Sequence, residues 1–444
     1  MSARKTALGG IVSLLAGLVL GLSATPVAAQ YGPVISGAGP INRSMGGAAT
    51  AAPLSASGAL FWNPATLAGL NRSELDVGAE MLFPQTTLFS RASANAFGAG
   101  SPPVDAASRT TNEDAVFALP TIAASFHPEG SPFTYGLGVF ALAGFGLNYA
   151  GSTTNPVQAA PPGGLGFGPI YSNYSVLQVA PALVYEVNEQ LSVSVSPILD
   201  VGMLQLDPGL IAVPNANGTY PTGTHSRSAY GTGFSVGAYY QACAWDFGAS
   251  YKSTQWFQSY RFSGSNELGA PRTFEFDLDS PAVVSVGASF KGIERWLFAA
   301  DVRYLDFDNT DGLGDSGFAP AGNLRGLGFN SVWAVALGTQ YQMTDAVSVR
   351  AGYSWNSNPI PDSQTSANAA SPVIIQHMLS AGASYQVTEA FSLSAAYMHC
   401  FENSIDGPIV VPGVGALPNT AVRSTAALDS LMFGATVKFG CPRH

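Results

Sequence analysis

Charge is scarce in this sequence. Only 10% of its 444 residues are Asp, Glu, Lys or Arg, where soluble domains carry about a quarter. Long apolar runs are scarce as well: beyond the N-terminus none reaches the roughly 20 residues of a membrane helix. A soluble protein this apolar would need one very large core. A chain apolar overall, yet never in one block, instead suits strands whose lipid-facing residues alternate with interior ones. Three cysteines, Cys243, Cys400 and Cys441, are too few for a disulfide framework. Cys243 and Cys441 fall on the same rim of the expected strand array but far apart around it, so no structural disulfide is expected. No Cys/His spacing offers a metal site, and no cofactor is expected. The net charge of -10 argues against nucleic acid, which calls for a basic patch.

What is present begins with a secretory pattern over residues 1–29. Arg4 and Lys5 precede an apolar stretch from Leu8 to Leu22, and Val27-Ala28-Ala29 forms a small-residue cleavage site before Gln30. Residues 30–72 are rich in small residues and broken by Gly and Pro, which suits neither a strand nor a long helix. Such a segment reads either as a flexible lead-in or as a plug inside a barrel.

From Glu74 onward, period-two alternation marks strands over 74–83, 116–127, 133–147, 174–187, 191–206, 228–242, 244–262, 273–291, 295–308, 331–343, 346–356, 374–387, 390–403 and 427–439. Trp296, Phe298, Ala300, Val302 and Tyr304 alternate with Ala299, Asp301 and Arg303. In a membrane barrel the apolar set faces lipid, and aromatics gather near strand ends. Trp296, Tyr304, Tyr353, Trp355 and Phe439 fit that girdle. Connections alternate between short turns, as at Thr344-Asp345, and long Gly/Pro/Asn-rich loops, as at 148–173. A sandwich has no reason to keep that rhythm, whereas an outer-membrane barrel does. The expected fold is an all-β transmembrane antiparallel barrel of about fourteen strands over 73–439, with residues 30–72 inside and a short tail over 440–444.

Met45-Gly46-Gly47-Ala48, followed by Phe61-Trp62-Asn63-Pro64-Ala65 and Leu67 to Leu70, resembles the N-terminal hatch of FadL-type outer-membrane transporters. Ser280 to Ala288 leading to Ala300-Asp301-Val302-Arg303-Tyr304 is similar to the middle of such barrels. So is Val349-Arg350-Ala351-Gly352-Tyr353, continuing to Leu379–Tyr385. Two departures stand out. Ser55 precedes Ala56-Ser57 where the family usually carries an acid, and Phe439 is followed by Gly-Cys-Pro-Arg-His rather than ending the chain.

The resemblance implies import of hydrophobic small molecules, long-chain fatty acids first among them, by passive diffusion through a monomeric, hatch-plugged barrel in outer-membrane lipid. Cargo would leave sideways beside a kinked third strand. Gly144 and Gly146 are the kink candidates in that strand, or else they make room for the hatch. Asn63, Pro64 and Ala65 are expected to shape a tight turn that gates the hatch. Phe61 and Trp62 either line the pocket or pack the plug. Arg303, Arg350 and Lys438 face inward, where they would meet a cargo carboxylate or pair hatch with wall. The alternatives are a general porin and a structural or adhesin-like barrel. An enzyme is not expected; His399 lies on the lipid-facing register beside Phe401, and a lipase-like site there would need a Ser and an Asn within its reach.

Overall fold

A computed structural model of the chain describes residues 31–442, apart from 99, 114, 115, 162, 163, 223, 224 and 316. The secretory pattern over 1–29 and the last two tail residues lie outside the described residues. Fourteen antiparallel strands close into a barrel. They are β1 (Ser73–Ala92), β2 (Phe117–Phe126), β3 (Phe133–Tyr149), β4 (Ile170–Glu186), β5 (Leu191–Asp207), β6 (Arg227–Gln241) and β7 (Trp245–Lys252). The second half comprises β8 (Ala282–Phe290), β9 (Trp296–Asp306), β10 (Val332–Gln342), β11 (Val347–Asn356), β12 (His377–Thr388), β13 (Phe391–Gly407) and β14 (Thr420–Phe439). Each strand pairs with the next, and β1 closes the ring by pairing with β14 along its whole length and with β2 over Glu74–Leu82.

Exposure decides which face meets lipid. Val302 is 40% exposed and Phe433 54%, whereas Asp301 and Arg303 are 1% exposed. A soluble sandwich would show the reverse. At the short-turn end Trp296 stacks on Phe298 with ring centres 5.5 Å apart and also meets Tyr341. At the other end of the same strands Tyr304 meets Trp333. Two girdles of this kind bracket the apolar band.

Two expected strands are shorter than their alternation suggests. The run expected over 244–262 breaks off at Lys252 and meets β6 again only at Trp256–Phe257, and the run expected over 273–291 joins the wall at Ala282, after Pro281. Between them, Tyr260–Ser265 and Pro271–Phe276 form a separate hairpin in which Phe262 stacks on Phe274. Tyr260, Phe262 and Phe276 are buried, so this hairpin covers the barrel's loop-side mouth with an apolar face. Alternation reports a two-faced strand, not the sheet it joins. Conversely β1, β13 and β14 run beyond their expected ends into the segments read as loops, because they pair with one another there.

Candidate functional site

Residues 31–70 fill the lumen, and nearly all of them are buried. A short helix α1 (Gly39–Ser44) carries Pro40 in its first turn, where a missing N–H costs nothing. Helix α2 (Ala56–Trp62) starts at Ser55, whose hydroxyl accepts the Gly58 N–H at 3.2 Å. Asn63 ends α2 and caps the 3₁₀ turn Pro64–Gly69 by accepting the Ala65 N–H at 3.2 Å. Its amide donates to Thr50 O at 2.8 Å and to Ala238 O on β6 at 3.0 Å. Asn63 thus joins two parts of the hatch to the wall.

Hatch and wall meet through buried charges that are paired and bonded, as low-dielectric burial requires. Asp301 on β9 accepts the N–H groups of Ala49 and Thr50 at 2.8 and 3.0 Å and the Thr50 hydroxyl at 2.9 Å. Arg303 pairs with Asp301, donates to Gly47 O at 2.9 Å and lies 3.8 Å over the Trp62 ring. On the opposite side Arg43 pairs with Glu80, to which Ser430 also donates. Glu74 and Asp76 accept the Ala56 and Ser57 N–H groups at the start of α2. The neutral Ser55 fits this arrangement, since an acid there would bring a third carboxylate to the same helix end.

Close backbone approach fixes the glycines facing the hatch. A Cβ on Gly248 would lie 1.8 Å from Thr50 O, and one on Gly352 1.9 Å from Gly46 N.

Among the described residues the wall is interrupted between β2 and β3. The β2–β3 pairing ends at Thr121–Phe140, although β3 continues to Tyr149 and keeps its β4 partners throughout. The β3–β4 register shifts between Ala141 and Ala143, so the irregularity falls at Leu142 rather than at Gly144 or Gly146. Beside it the hatch supplies the missing strand. Ile35 N donates to Leu142 O at 3.1 Å and Gly144 N to Pro33 O at 2.9 Å, with Val34 opposite Ala143. Gly146 pairs with Asn173 of β4.

Above the hatch the lumen is aromatic and apolar. Phe61 meets Trp62 and Phe140 edge-on, at 4.8 and 5.6 Å between ring centres. Phe145, Leu204, Leu210, Phe276, Leu278 and Leu327 line a cavity of about 30 Å³, room for about one water. Sequence reading missed a buried polar chain beside Phe61. Lys252 Nζ lies 4.9 Å from the Phe61 ring centre and donates to Gln178 at 3.2 Å; Gln178 donates to Asp200 at 3.1 Å. Its signal was present: Asp246, Gly248, Ser250 and Lys252 form the non-aromatic face of their strand.

Below the hatch, at the short-turn side, lies a cavity of about 570 Å³ lined by Gln340, Ser348, Arg350, Ser384, Gln386 and Lys438 among others. The three cations singled out in the sequence therefore do not converge. Arg303 faces the hatch, while Arg350 and Lys438 face this polar vestibule. Asn63, Pro64 and Ala65 lie together in the hatch turn, and Phe61 and Trp62 are buried beside it, Phe61 against Phe140 and Lys252 and Trp62 against Tyr31 and Arg303. On the outer face His399 bonds to Asp429 at 2.8 Å and packs edge-on against Phe401.

A family model described as outer membrane protein transport protein (OMPP1/FadL/TodX) matches residues 18–440. The chain belongs to this family. No curated protein matches it by sequence. The toluene transporter TodX of Pseudomonas putida superposes with a TM-score of 0.64 at 18% identity, covering 92% of this chain and 100% of TodX. The Ralstonia pickettii toluene transporter TbuX gives 0.61 at 17% identity, over 91% and 99%. A Pseudomonas aeruginosa FadL homologue gives 0.67 at 14% identity, over 92% and 100%. At these identities the likeness speaks for the fold. This FadL/TodX family member is an outer-membrane transport protein for hydrophobic compounds, not an enzyme.

Proposed function

We propose that this protein admits hydrophobic small molecules by passive diffusion, as a monomer, and releases them sideways through the gap between β2 and β3. The observation that carries the reading is the interrupted wall, where Pro33–Ile35 stands in for a strand. Magnitudes favour this exit over an axial one. Withdrawing Pro33–Ile35 breaks two backbone hydrogen bonds, each about 0.5–1.5 kcal/mol net. Withdrawing the whole hatch separates Arg43 from Glu80 and strips Asp301 of three donors. Breaking one buried pair alone costs about 3–5 kcal/mol.

For the cargo, a long apolar body with one acidic head fits best, with long-chain fatty acids as the class. The buried Lys252 ammonium, bonded to neutral Gln178 beside the Phe61 ring, supports this. In this reading Asn63, Pro64 and Ala65 anchor the hatch, Phe61 and Trp62 line the passage, and Gly144 marks its exit. A second reading, an aromatic hydrocarbon, is supported by the Phe61, Trp62 and Phe140 rings and by relatives described as toluene transporters.

The test is uptake of a labelled long-chain fatty acid and of toluene into cells lacking the protein, with and without complementation. Fatty-acid uptake that is restored by the protein and impaired by Lys252→Met supports the first reading. Toluene uptake indifferent to Lys252→Met supports the second. Entry of hydrophilic sugars alone makes the protein a porin.

A further inference from the structure

Beneath the hatch, Arg350 is 9% exposed, and its guanidinium is bonded to neutral groups. Nε donates to Gln340 at 2.7 Å and Nη1 to Ser384 at 2.7 Å. Among the described residues no carboxylate pairs with it. The vestibule's own acids are occupied or remote: Glu74 holds the Ala56 N–H, while Asp345 and Glu389 are exposed on the turns. A buried arginine normally pairs with an anion, and its planar fork matches a carboxylate. The volume of about 570 Å³ lies within the about 300–1,000 Å³ of ligand sites. The hatch side of the same cavity is apolar, formed by Ile41, Pro53, Leu54 and Leu70. One side thus presents Arg350 and Lys438 among amides and hydroxyls, and the other presents aliphatic surface.

We propose that this vestibule is a second binding site, open to the periplasm, for a small amphipathic monocarboxylate. Its carboxylate sits on Arg350 and its apolar end rests on Leu54 and Leu70. The site is separate from the lumen above the hatch and does not depend on the route taken by cargo. Because its apolar contacts belong to the seated hatch, a bound ligand stabilises the plugged state.

The test is titration of carboxyl-labelled octanoate into the full chain held in lipid nanodiscs, followed by NMR. Lys252→Met is used as background, so that the lumen ammonium contributes nothing. The expected result is saturable binding, weakened at least tenfold by Arg350→Gln. Ser348→Glu should weaken it equally, because it places a carboxylate on the same face two residues from Arg350. Should Arg350→Gln fail to form a barrel, Ser348→Glu decides alone. Unchanged octanoate affinity in Ser348→Glu overturns the proposal, as does displacement of octanoate by octanol at equal concentration. Failure of the fatty-acid reading would appear separately, in uptake, with this binding intact.

Discussion

The backbone amide of Gly144 donates to the carbonyl of Pro33 at 2.9 Å, tying the third barrel strand to the start of the hatch. A barrel strand normally spends that donor on its neighbour in the wall. Here the neighbour, β2, has ceased to pair with β3 at Phe140, and a segment from inside the lumen takes its place. The same few residues therefore close the wall and begin the plug, so movement of one opens the other.

Asp301→Asn tests what holds the hatch down. The amide keeps one acceptor for Ala49 or Thr50 but leaves Arg303, 1% exposed, without its carboxylate. A cost of about 3–5 kcal/mol is expected for the stranded charge, borne by the hatch rather than by the β-ladders. Limited proteolysis should cut within residues 31–70 at least tenfold faster than in the wild type, while the barrel stays heat-modifiable on gels. Equal proteolysis rates would show that Asp301 is not a hatch anchor.

Gly248→Ala tests the close approach directly. Its Cβ would fall 1.8 Å from Thr50 O, a backbone atom that cannot swing aside. Overpacking of this kind costs about 1–3 kcal/mol and should lift the hatch near Thr50. Ion conductance in planar bilayers should rise above that of the plugged wild type. Unchanged conductance would mean that the wall yields instead.

Asp279→Asn tests the loop side. Asp279 lies between the covering hairpin and β8, outside the spanning strands, and accepts the Phe257 N–H at 2.7 Å. Burial pushes its carboxyl up to about 6, reinforced by Asp311 and Asp277 and opposed by that N–H. A raised acid binds its proton more tightly folded than unfolded, so its contribution favours the folded loop at low pH. That contribution is lost as pH rises from about 3.8 through about 6. Amide exchange over 253–281 should be more protected at pH 5 than at pH 7 once corrected for intrinsic rates. Asp279→Asn should abolish the difference, and a difference that persists would assign it to another group.

The barrel was legible because β-alternation and the rhythm of short and long connections are local properties, printed along the chain. Val302 outward and Asp301 inward could be read from two adjacent letters. The hairpin at 260–276 was not legible, since Phe262 and Phe274 alternate like any strand and only the breaks in pairing after Lys252 and Phe257 send them over the mouth. At the site, Asn63-Pro64-Ala65 announced a turn by its own chemistry. The break at Leu142 carries no such mark. It arises because Pro33–Ile35, more than a hundred residues earlier, competes for the edge of β3. The separation of Arg303 from Arg350 and Lys438 was equally hidden, because one strand face says nothing of which side of the hatch it meets.

The most direct test of the lateral exit is a lock across it. Val34 and Ala143 are directly opposed, and such pairs bring Cβ atoms to about 4.5–5.5 Å, close to disulfide reach. The measurement is fatty-acid uptake by cells carrying Val34→Cys with Ala143→Cys, oxidised and then reduced, against each single variant. Lateral release predicts uptake near the level of cells without the protein when oxidised, with recovery on reduction. Full uptake through the oxidised, cross-linked protein would contradict it and send the cargo down the axis.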